Sequence, residues 1–104
     1  MAKNEKEMIN MIKLAQAARK LVTIVYEKMS TGRTVKRTVE PYEIRNETLK
    51  DGGLRTFLYG FDVTEAHHRK KNIKRWNTAN LFNVFIEDKE FTPRWDVKIS
   101  KTLG

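Results

Sequence analysis

The stretch Arg37-Thr38-Val39-Glu40-Pro41-Tyr42-Glu43-Ile44 decides how this chain is read. Side chains alternate across a strand, so Val35, Arg37 and Val39 fall on one face, with Thr34, Lys36, Thr38 and Glu40 on the other. Arg37 therefore shares an apolar face, where a guanidinium requires an anion, a set of carbonyls or a water-filled pocket. Pro41 has no N–H to donate, and beyond it the apolar phase moves to Tyr42 and Ile44. These features predict a bend or bulge at Pro41, a device that re-aims side chains at barrel rims and beside binding sites.

Working outward, residues from about Glu5 to Lys20 read as a helix, because Met8, Ile9, Met11, Ile12, Ala15 and Ala18 recur at helical spacing. Asn4 is the expected N-cap, with Glu5 and Glu7 in the first turn and Arg19 and Lys20 in the last. Leu21 to Lys28 is β-branched and aromatic and follows almost without a linker. A turn at Ser30-Thr31-Gly32 returns the chain as the strand Arg33 to Ile44, so a hairpin is expected. Arg45 to Gly53 reads as a polar loop. Leu54 to Val63 then forms a strand apolar on both faces, in which Gly60 signals a bend or a close backbone approach. Further strands are expected at Asn72 to Thr78 and Leu81 to Ile86, with a turn at Glu87-Asp88-Lys89-Glu90. The tail from Phe91 to Ile99 alternates Trp95, Val97 and Ile99 and is read as an edge strand.

The 104 residues are too few for more than one domain, and 39% hydrophobic with 33% charged residues describes a soluble globular chain. The expected architecture is mainly β (α+β): one domain over 1–104, a helix at about 5–20 and a small barrel of five to six strands at about 21–100. Cysteine is absent, which excludes disulfides and thiolate chemistry and suits a cytoplasmic location. No apolar run approaches the roughly 20 residues that span a bilayer, and Met1-Ala2-Lys3-Asn4-Glu5 lacks a signal-peptide pattern, so no membrane partner is expected.

A net charge of +8 favours polyanions, and its distribution sharpens the point. Between Ala66 and Ile86 there is no carboxylate, while Arg69, Lys70, Lys71, Lys74 and Arg75 crowd behind His67 and His68. Cations attract phosphates whatever the base sequence, and exposed aromatics add stacking worth roughly 1–3 kcal/mol per base. Lys74, Arg75 and Trp76 set both kinds of group side by side, with Tyr59 expected on a neighbouring strand. The bland alternatives are that Trp76 is core, that the lysines are a solvated face, and that Arg37 pairs with Glu43 or Asp62.

An enzyme is not expected. Adjacent His67 and His68 point to opposite faces of a strand, no third metal ligand is signalled, and Asp62 and Glu65 have no spaced carboxylate partner. No glycine-rich phosphate loop is present, and no cofactor is implied.

The chain resembles the WYL domain, a bacterial and phage regulatory module with an Sm-like or SH3-like barrel. Four pieces carry the likeness: the helix running into Leu21-Val22-Thr23-Ile24-Val25-Tyr26, the strand Arg37 to Tyr42, the segment Thr56 to Asp62, and Lys74-Arg75-Trp76 leading to Leu81. The Trp-Tyr-Leu triplet that names the family stands here as Thr56-Phe57-Leu58. The resemblance implies a ligand-sensing domain that binds a nucleotide-like or nucleic acid ligand and passes its state to an effector or to transcription. It assigns Tyr26, Arg37, Lys74 and Arg75 to the ligand site. Two functional classes stay open: a sensor of single-stranded nucleic acid or nucleotide-like anions, and a protein-interaction or oligomerisation module docking an acidic partner. An effector protein and a second copy of the chain are the further partners these readings allow.

Overall fold

The computed structural model describes residues 4–28, 30–65 and 73–93. One helix, α1 (Glu5–Ala17), precedes five strands: β1 (Lys20–Lys28), β2 (Arg33–Thr48), β3 (Leu54–Asp62), β4 (Lys74–Asn77) and β5 (Leu81–Glu90). They form one antiparallel sheet in the order β4-β3-β2-β1-β5. The sheet is open, with β4 and β5 at its edges, and a 3-10 turn at Thr78–Asn80 joins those two strands. Trp76 on one edge and Leu81 and Val84 on the other belong to a single buried cluster. The sheet therefore curls round one core.

The helix begins where expected. Asn4 Oδ1 accepts the backbone N–H of Glu7 at 2.8 Å, satisfying one of the free donors of the first turn. It ends at Ala17, a turn earlier than its periodicity predicts, with Arg19 in a left-handed conformation at φ 55°. That one residue reverses the chain into β1, which starts at Lys20. Met8, Ile12 and Ala15 are buried against Val22, Ile24, Val39 and Leu58, whereas Leu14 is 65% exposed. Each large aliphatic side chain so buried contributes about 1.5–3 kcal/mol.

β2 organises the sheet. Residues Arg33 to Val39 pair with β1, and Val39 to Thr48 pair with β3, so the strand changes neighbours at Val39. The predicted irregularity follows at once: a register shift lies between Pro41 and Glu43, leaving Tyr42 as the extra residue. Tyr42 packs with Phe61 in a second small cluster, while Ile44 packs against the main core. Alternation predicts one face for these two, and the extra residue separates them. Pro41 pairs with Gly60. A Cβ on Gly60 would stand 2.7 Å from the Glu40 carbonyl oxygen and 3.5 Å from the Trp76 ring, so the close approach expected of this glycine is real.

Two strands also run longer than expected. Residues 45–48 extend β2, because Arg45, Asn46, Glu47 and Thr48 pair with Phe57, Thr56, Arg55 and Leu54. The turn shrinks to Leu49–Gly53, closed by Leu49 N–H to the Gly53 carbonyl at 2.8 Å, with Gly52 at φ 85°. Likewise, residues 87–90 continue β5 instead of turning, and Glu90 pairs with Lys20. The expected tail strand lies largely outside the described residues. Among the described residues no helix is long and apolar enough to cross a membrane.

Candidate functional site

Strand pairing fixes which side chains share a face. Ile24 opposes Arg37, Tyr26 opposes Val35, and Val22 opposes Val39, so Arg37 does stand on the core face of the sheet. Leu58 opposes Trp76 and Gly60 opposes Lys74, which puts Lys74 and Trp76 on that same inner face. Val39 opposes Asp62, completing the group.

Asp62 is the centre of this group and is 5% exposed. Its Oδ1 accepts the backbone N–H of Thr64 at 2.9 Å, and Thr64 Oγ1 accepts the N–H of Thr38 at 2.7 Å. The end of β3 is thereby tied to β2. Asp62 Oδ2 faces Arg37 Nε at 3.4 Å and Lys74 Nζ at 3.9 Å. Asp62 is thus one of the two carboxylates considered for Arg37. Arg37 is not fully buried, its side chain retaining 27% exposure, and Lys74 is half exposed. Two cations thus converge on one buried carboxylate at the rim.

Beside it, a cleft of about 180 Å³ is lined by Tyr26, Glu27 and Lys28 of β1, Arg75, Trp76 and Asn77 of β4, and Asn80. Tyr26 is half-buried against the core. Trp76 is core, as its bland reading held, and also borders the cleft. On this inner face Arg37 and Lys74 meet at Asp62, and Tyr26 and Trp76 meet at the cleft.

Tyr59 does not join them, and Arg75 borders the cleft from the other face of the strand. Alternation turns Arg75 to the opposite face of β4, where it opposes Tyr59. Its Nη1 lies 3.1 Å from Glu47 Oε1, and its guanidinium carbon sits 4.3 Å from the centroid of the Phe57 ring. The Tyr59 hydroxyl donates to Glu47 Oε2. Burial and this bond to a carboxylate push the Tyr59 hydroxyl above its ordinary range, opposed by Arg75 and Arg45. The adjacent basic and aromatic residues of Lys74-Arg75-Trp76 are thus split between two faces. Phe57 is capped by Arg75, Leu58 is core, and Thr56 donates to Asn46 Oδ1 at 2.7 Å. Arg69, Lys70 and Lys71 lie outside the described residues.

This architecture has a solved counterpart. The proteasome accessory factor B/C (PafBC) of Arthrobacter aurescens is similar, with a TM-score of 0.63 at 10% sequence identity over 83% of this chain. The likeness is one of fold alone. The chain spans 12% of the length of that protein. No family model and no curated protein matches the chain.

The sequence reading missed a second group, at the end of α1. The side-chain amide of Gln16 donates to the Tyr42 carbonyl at 2.6 Å, and Tyr42 Oη donates to Glu40 Oε1 at 2.6 Å. Glu40 is 3% exposed, yet strand alternation had placed it on the polar side. The signal available was Tyr42 two residues on, whose hydroxyl is within reach of a buried acid. Among the described residues, no group of three His, Cys, Asp or Glu side chains is placed to hold a metal ion.

Proposed function

We propose that this chain is a non-enzymatic regulatory domain that binds single-stranded nucleic acid or a nucleotide-like anion at the inner rim, and that it acts on an effector or on transcription. The observation that carries the proposal is the pairing of two partly exposed cations, Arg37 and Lys74, with one buried carboxylate, beside a cleft bordered by Tyr26 and Trp76. Asp62 orients both cations. A phosphate at the rim meets two cations that keep contact with solvent, and a base finds aromatic surface on the same face. Lys28 and Arg75 line the cleft as further cations, with Glu27 as its carboxylate. Arg75, which borders the cleft but is engaged with Glu47 and Phe57, and Tyr59, which faces the other way, are assigned a smaller part. The regulatory role and the cytoplasmic location belong to this same proposal.

The test is binding of single-stranded oligonucleotides across a salt series, in which the slope reports the phosphates contacted. Arg37→Ala combined with Lys74→Ala is expected to weaken binding and flatten the slope, and Arg75→Ala to change both less. If no oligonucleotide or nucleotide binds at low salt, the proposal is lost. A second reading, docking of a protein partner or a second copy, has the exposed Leu54, Phe82 and Ile86 in its favour. A partner retained after nuclease treatment, with the double variant unaffected, would select it.

A further inference from the structure

Away from the inner rim, a cleft of about 360 Å³ opens between the end of α1, the bulge of β2 and the chain leaving β5. Lys13, Gln16 and Arg19 line it on the helix side, and Pro41, Tyr42 and Phe91 form the facing wall. Among the described lining residues, which include two cations, none is a carboxylate. The Tyr42 and Phe91 rings meet edge to face, 5.8 Å apart at 69°. The size lies within the roughly 300–1,000 Å³ of small-molecule sites, and the lining joins apolar walls to a few polar groups as such sites do.

Arg19 is the informative residue. Its φ of 55° is a conformation that glycine adopts freely and that costs other residues about 1–2 kcal/mol. The backbone is held on both sides, Arg19 N–H donating to the Gln16 carbonyl at 3.1 Å and Phe91 N–H donating to the Arg19 carbonyl at 2.8 Å. Glycine would make both bonds. A cation beside a helix C-terminus gains only about 0.3–1 kcal/mol when exposed, which does not offset the strain. The residue that bears this strain lines the cleft, and strained residues concentrate at ligand clamps.

We propose that this cleft is a second binding site, for a small organic anion with a flat apolar body, of the aromatic carboxylate class. Arg19 and Lys13 meet the acid group, while Tyr42, Phe91 and Pro41 cover the ring. The helix C-terminus opposes an anion with about half a negative charge, and the two full positive charges outweigh it. Its lining residues differ from those of the inner rim, so the inference stands whether or not the chain binds nucleic acid.

The experiment is titration of 1-naphthoate into the full isotope-labelled chain, followed by backbone amide shifts, with neutral 1-naphthalenemethanol as the control. Saturable shifts are expected at Arg19, Tyr42 and Phe91, with the neutral compound about tenfold or more weaker. Arg19→Gly is expected to raise the melting temperature and yet to weaken naphthoate about tenfold. Lys13→Ala, at an exposed helical position, weakens it without altering the fold. Absence of saturable shifts at the cleft, equal affinity for the neutral compound, or wild-type affinity in both variants would overturn the proposal.

Discussion

Replacing Asp62 with asparagine separates the structural and binding roles of the inner rim, because the two roles respond with opposite sign. Asparagine retains an oxygen that can accept the Thr64 N–H, so the tie to β2 survives and the charge alone is removed. At 3.4 Å the Arg37–Asp62 attraction amounts to about 1 kcal/mol in water-like surroundings and about 5 kcal/mol at an effective dielectric of 20. The lower part of that range applies, since Arg37 and Lys74 keep contact with solvent and the carboxylate no longer has to be desolvated. The expected loss is therefore about 1–3 kcal/mol, or about 4–8 °C in melting temperature per kcal/mol for a domain of this size. Denaturant unfolding should show a lower midpoint at unchanged slope. Binding should move the other way. With the counter-charge gone, oligonucleotide affinity at low salt is expected to rise about two- to fivefold, the worth of one exposed charge interaction. Affinity that falls, or stays level, after correction for the folded fraction would show that Arg37 and Lys74 serve only to neutralise Asp62.

Gly60→Ala is expected to destabilise the fold by about 1–3 kcal/mol, because the new methyl meets the Glu40 backbone carbonyl, which cannot swing aside; a thermal melt measures it. Asn4→Ala should cost about 1 kcal/mol through the lost cap of α1, read by denaturant unfolding. Tyr59 supplies the pH dependence: its raised folded value means that its contribution is complete below about pH 10, where unfolded tyrosine ionises, and is lost as pH rises through the folded value. The stability difference between the wild type and Tyr59→Phe should accordingly narrow between neutral pH and pH 11 in urea titrations.

The order of elements could be read from local pattern. Helical spacing and Asn4 located α1, Gly32 the first turn, and Pro41 the bulge. Element ends were harder. Arg45 to Thr48 are polar and partly exposed, so hydrophobic alternation cannot register them; their strand character comes from pairing with Arg55, Thr56 and Phe57. The same holds for Glu87 to Glu90 at the sheet edge. At the site, alternation alone separates Lys74 from Arg75, but only pairing shows that Arg75 is engaged with Glu47 and Phe57 while Lys74 turns inward to Asp62. The cleft at the end of α1 draws Lys13, Gln16, Arg19, Tyr42 and Phe91 from three separate segments, and none of them signals it locally. Arg19 least of all announces a left-handed turn, since the residue type gives no hint of it.

The change of neighbours at Val39 carries a consequence for how the chain assembles. Because β2 shares only that residue between its two ladders, the β1–β2 and β2–β3 ribbons are each closed by a short turn and can form separately, at small loop-closure cost. The β1–β5 ladder, which joins Lys20 to Glu90, has to wait for the intervening chain to fold back. Hydrogen exchange should therefore find two cooperative units meeting at Val39, with β5 amides released through openings that leave the β2–β3 ribbon intact.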